Sequence, residues 1–134
     1  MLEFALLAPW YAFLFVGAYD FGFYSYGLIA TQNAARVAAM YCSASTTRAA
    51  NCDATYEACG YVLDQLRDMP NVGSAMTGPC TAPVVVTTSM ITGPDGASAA
   101  QVTVAYTTPK LIPIPGVLLG GVTITRTSVM RVLG

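Results

Sequence analysis

Residues 1–41 read MLEFALLAPWYAFLFVGAYDFGFYSYGLIATQNAARVAAMY, and this stretch decides the fold. No charge interrupts Phe4 to Ala18, and nearly every residue there is apolar. Polar side chains then enter gradually, as Asp20, Ser25, Thr31, Gln32, Asn33 and Arg36. The only strong breaker is Pro9, which removes one helical hydrogen bond and favours a bend. From Leu28 the spacing of Ala30, Ala34, Ala35, Val37, Ala38 and Tyr41 suits an amphipathic helix with a small-residue face. The pattern predicts one helix over about 2–41, roughly 60 Å long at 1.5 Å per residue. Gly17, Gly22 and Gly27 each weaken such a helix by roughly 1 kcal/mol. Close approach of another backbone is the expected compensation.

A helix apolar all round is buried, in lipid or in protein. From Phe4 to Tyr19 the run falls slightly short of the ~20 residues that span a bilayer, unless Asp20 is tolerated at the far interface. A secretory signal peptide needs a basic start. This stretch begins with Glu3 and offers no convincing small-residue cleavage site.

Outward from the helix, the 134 residues fit one domain. Only 10% are charged, against about 25% in ordinary soluble domains, so much of the surface is not built to face water. Ten of the 14 Phe, Trp and Tyr residues lie in the first 26 positions, and the only charges before Arg36 are Glu3 and Asp20. The net charge of −1 gives no drive toward nucleic acid. The chain has no histidine, and no Gly-rich phosphate loop or paired carboxylates beside a base. No enzymatic role, metal or cofactor is therefore expected.

Cys42, Cys52, Cys59 and Cys80 all lie beyond the apolar run. An even count in a small exported domain reads as two disulfides. The spacings of nine, six and twenty intervening residues do not suit zinc. A second helix is expected over about 53–68, with Asp53 as N-cap and Pro70 as terminator. Cys52 and Cys59 lie about 10 Å apart along such a helix, too far to bridge. Each then pairs with Cys42 or Cys80, and joining 42 to 52 and 59 to 80 closes the shorter loops.

Three strands are expected, over about 83–91, 99–107 and 121–133. Val102, Val104 and Tyr106 alternate with Gln101, Thr103 and Ala105, and Val122 and Ile124 with Thr123, Thr125 and Thr127. Thr92 to Gly96 is a turn cluster. The Thr-rich face suits a solvated outer surface. The segment from Pro109 to Leu119 carries three prolines and is apolar. It either folds back over the domain or contacts another subunit. The fold class is α+β: a protruding apolar helix half over 1–30 and a small globular domain over 31–134.

Several short segments resemble a known family. Glu3-Phe4-Ala5-Leu6-Leu7-Ala8-Pro9 resembles the start of TadE-like proteins, pilin-like subunits of tight-adherence (Flp/Tad) systems. Asp20-Phe21-Gly22 followed by Tyr24 or Tyr26, and Gln32-Asn33-Ala34-Ala35-Arg36-Val37-Ala38, resemble two later segments of that family. Val102 to Tyr106, Leu118 to Thr125 and Met130-Arg131-Val132 are similar to its closing strands. The likeness covers about residues 3–41 and 100–132, not the cysteine-bearing middle.

The resemblance implies a type IV pilin-like fold and life cycle. The precursor sits in the inner membrane of a bacterium, a prepilin peptidase removes a basic leader, and pilus assembly machinery moves the subunit into a filament or pseudopilus. The partners implied are copies of the chain in a helical homopolymer on the cell surface. The alternative is a membrane-anchored minor pseudopilin, or an accessory or binding protein outside the bulk filament. Subunit packing is expected at Glu3, Phe4, Pro9, Trp10, Phe13, Asp20, Phe21 and Gly22. Family members carry an acidic residue at the fifth mature position, where it can neutralise a neighbour's α-amino group; here Glu3 stands third. An unpaired buried carboxylate is costly, so Glu3 either meets such an amine or caps its own helix at the membrane surface. Asp20 pairs with Arg36 or Arg48 of an adjacent subunit, or reaches a wet interface.

Overall fold

A computed structural model describes residues 2–52, 57–73, 79–109 and 121–133, with side chains from Leu6 onward. Helix α1 runs from Leu2 to Cys42, continuing through Pro9. A short helix α2 spans Thr46–Asn51, and α3 spans Glu57–Leu66. Strands β1 (Val84–Thr92), β2 (Ser98–Thr107) and β3 (Thr123–Arg131) form an antiparallel sheet in that order. The architecture is the expected α+β one.

Two details refine this outline. Residues 43–51 had no element assigned, yet α2 forms there; Ser45 caps it by accepting a hydrogen bond from the Arg48 amide at 3.2 Å. The described part of the second helix, Glu57–Leu66, falls within the expected 53–68. It ends at Leu66, where the chain turns through Met69 N–H to Leu66 O (2.9 Å) and Val72 N–H to Met69 O (3.1 Å) ahead of Gly73 at φ +59°. Pro70 disfavours the helical conformation for the residue before it. Asp53, the expected N-cap, lies outside the described residues.

The second half of α1 packs across β2 and β3, with α3 alongside it. Ala34, Ala35, Ala38 and Ala39 are fully buried, and their small side chains let the helix approach closely. The opposing core is Tyr106, Val62, Leu66, Val84, Val102, Val104 and Ile124. Gly27 marks where α1 first meets the sheet. A Cβ there would sit 3.2 Å from Ile124 Cδ1. Side chains of the sheet, not another backbone, account for this glycine. One turn on, the buried Thr31 hydroxyl donates to the Gly27 carbonyl at 2.7 Å.

Polar ties hold the loops to this core. The buried Tyr106 hydroxyl donates to Asn71 Oδ1, and Asn71 Nδ2 donates to the Thr107 carbonyl, both at 2.7 Å. Burial pushes the Tyr106 phenol up to about 12. Thr88 donates to the Cys52 carbonyl at 2.8 Å, and the Leu133 amide ties the C-terminal end to Ser43 O at 2.9 Å. Disulfides join Cys42 to Cys52 and Cys59 to Cys80, with Cα separations of 5.5 and 5.6 Å.

The hairpin between β1 and β2 turns at Gly93 to Ala97, with Gly96 at φ +77°. On the outer sheet face Thr103 meets Thr127 at 2.9 Å and Thr107 meets Thr123 at 3.1 Å. Thr108 and Val122 close the base of the link between β2 and β3. Most of the apolar Pro109–Leu119 segment lies outside the described residues.

Candidate interaction surface on the exposed helix half

Above Gly27, α1 has little of the domain beside it. From Leu6 to Phe15 every side chain is exposed, and exposure recurs at Tyr19, Phe21 and Tyr26. Trp10 is 68% exposed, Phe13 59%, Phe15 75% and Phe21 69%. Monomeric soluble proteins rarely present an apolar patch this continuous. The stretch from Leu6 to Cys42 is long and apolar enough to cross a membrane, and none of its most apolar 18-residue window is buried within the chain. A helix of this kind is that of a membrane anchor or a signal sequence, and the two disulfides point to an extracytoplasmic location.

The expected packing residues divide by position. Pro9, Trp10, Phe13, Phe21 and Gly22 are exposed on the projecting half, and Asp20 is half-buried. The side chains of Glu3 and Phe4 lie outside the described residues. Beyond the helix's own backbone, no atom of the described residues lies within 4 Å of where a Cβ would stand at Gly17 or Gly22. Unlike Gly27, they leave shallow notches on the exposed helix. Cys42–Cys52 and Cys59–Cys80 lie beyond the projecting half, where they brace the domain.

The charges are distributed unevenly. Arg67 lies 3.6 Å from Asp64 and 3.9 Å from Asp68, and Arg131 lies 3.5 Å from Asp95. All are exposed pairs that contribute little to stability. The Arg48 guanidinium sits over the Tyr41 ring at 4.6 Å. Arg36 and Arg126 form no ion pair among the described residues.

Arg126 is the residue the sequence reading passed over. It occupies an inward position of β3, between the buried Ile124 and Ser128, and is itself half-buried. An arginine at an inward step of an alternating strand was the available signal. With Leu28, Ile29, Gln32 and Asn33 it lines an open groove between β3 and α1.

Among the described residues, no cluster of three or more His, Cys, Asp or Glu could hold a metal ion. Comparison with family models, curated proteins and solved structures finds no match.

Proposed function

We propose that this chain is the structural subunit of an extracellular type IV pilus-like filament of the tight-adherence kind, assembled by packing of apolar N-terminal helices. The observation that carries the reading is the division of α1. One half is fixed in a disulfide-braced domain, and the other presents a continuous aromatic surface left exposed by the described residues. That surface needs an apolar environment at every stage: lipid before assembly, and neighbouring helices afterwards. The order of TadE-like segments along the helix and closing strands supports the same reading. The role is structural rather than enzymatic, with copies of the chain, the inner membrane, prepilin peptidase and assembly machinery as partners.

Shearing cells that express the chain tests this. The expected result is release of a high-molecular-mass species that images as thin filaments. Recovery only as a detergent-solubilised inner-membrane monomer would overturn the filament reading. It would favour a membrane-anchored accessory protein, a reading that the membrane-compatible helix also supports. Glu3→Gln should leave membrane insertion intact and lower filament yield.

A further inference from the structure

We infer that the groove between α1 and β3 is the seat for the Asp20 segment of a second copy's helix, with Arg126 and Arg36 as the receiving charges. The inference rests on the filament reading and adds the contact that sets subunit stagger.

Three observations lead to it. First, the groove has an apolar wall, Leu28 and the 62% exposed Ile29, and a polar wall, Gln32 and Asn33. Arg36 follows Gln32 by four residues and Asn33 by three, so it continues the same helix face one turn on. Second, Arg36 and Arg126 are the guanidinium groups left without an ion pair or ring contact among the described residues. Half-burial of Arg126 makes an anionic partner more valuable there than on open surface. Third, the projecting helix has the complementary sign, because its only charges are Glu3 and Asp20.

Helix geometry chooses between the two acids. Bringing a neighbour's Asp20 beside positions 29–33 needs an axial offset of about 9–13 residues, roughly 13–20 Å. At that offset, much of the neighbour's aromatic stretch lies beside this copy's segment from Tyr19 to Ile29, where Tyr19, Phe21, Tyr26 and Ile29 are exposed. Exposed aromatics of the two copies then face each other, and the charged and polar groups meet at the groove. Bringing Glu3 to the same groove needs roughly 40–45 Å, which slides those aromatics past the projecting helix and onto the polar end of the domain.

The test uses the full chain in its native membrane. A photoreactive substitution at the groove, Ile29→p-benzoylphenylalanine, should cross-link to residues 16–20 of another copy. Mixing isotope-labelled and unlabelled copies proves the link intermolecular. Arg126→Glu should lower the yield of sheared filament at least about tenfold, by placing like charges together, and the double variant Asp20→Arg/Arg126→Glu should restore it. Adducts to phospholipid alone would assign the groove to headgroups and overturn the proposal. Links to residues near Glu3, or wild-type filament yield from Arg126→Glu, would also overturn it. Each of these can occur while wild-type chains still form filaments. If wild-type chains form none, the filament reading itself fails.

Discussion

Removing one disulfide at a time gives a quantitative test of how the domain is braced. The two bridges close sequence separations of 10 and 21 residues. On the chain-entropy estimate, those loops stabilise the fold by about 2.7 and about 3.3 kcal/mol. Cys42 and Cys59 are also buried, so alanine there leaves space in a packed core. Cys42→Ala/Cys52→Ala should therefore raise amide exchange across β2 about 100-fold, and Cys59→Ala/Cys80→Ala about 250-fold. Losing both bridges costs about 6 kcal/mol, within the total stability of a small domain, and should leave a substantial unfolded fraction. The assay is hydrogen exchange on the full chain in detergent micelles, where the apolar half of α1 stays solvated throughout. Connectivity is read separately. Cleavage after Arg48 and Arg67, with a further cut at Glu57, separates all four cysteines onto different peptides. Exchange within about threefold of wild type for either pair variant would refute the bracing argument. A peptide joining Cys42 to Cys59 or Cys80 would refute the pairing.

Tyr106→Phe removes a buried hydrogen bond to Asn71 and should destabilise the domain by about 1 kcal/mol, measured as a lower urea midpoint. The folded state holds this phenol protonated up to about pH 12 while the unfolded chain releases its proton near 10. Its contribution is therefore complete below pH 10 and is lost as pH rises from 10 to 12, at up to about 1.4 kcal/mol per unit; Tyr106→Phe should flatten that slope. Gly27→Leu drives a side chain into Ile124 and Tyr106 and should cost about 1–3 kcal/mol of fold stability by the same melt. At Gly22 no other described part of the chain lies within 4 Å of an added Cβ, so Gly22→Leu should leave the melt unchanged or slightly improved while lowering filament yield.

The contrast between Gly27 and Gly22 also shows where the sequence stops being informative. Both recur in one five-residue series and carry the same weak helix propensity. Only the end of the sheet, a tertiary fact, makes Gly27 a contact point. The long helix was legible because its apolar run is uninterrupted. β2 and β3 were legible because Val102, Val104, Tyr106 and Ile124 alternate with small polar residues. α2 was not: it is six residues long, buries Ala49 alone, and carries no apolar period. Its Ser45 cap and the Cys42–Cys52 bridge around it hold it in place. The groove needed both levels. Alternation puts Arg126 on the inner face of β3, but only the packing of α1 beside that strand brings it to Ile29 and Gln32.

The composition of the exposed helix half argues for its destination. An isolated helix is marginal in water, and most helical stability in proteins comes from packing. From Leu6 to Gly22 this one has little packing within the chain, yet it includes Pro9, Gly17 and Gly22, each a weakening residue. In water those residues would favour fraying. In lipid, or among other helices, an unpaired backbone group costs several kcal/mol, and the helix is the form that satisfies nearly all of them, Pro9 aside. The glycines then lose their penalty and become notches where a neighbouring helix can approach. Aromatic side chains around those notches supply contact area on every side. Such notches are useful to a helix that packs against another helix. The pairing of bare glycines with exposed aromatics therefore suits a segment that packs against other helices, which is what the proposed filament requires of it.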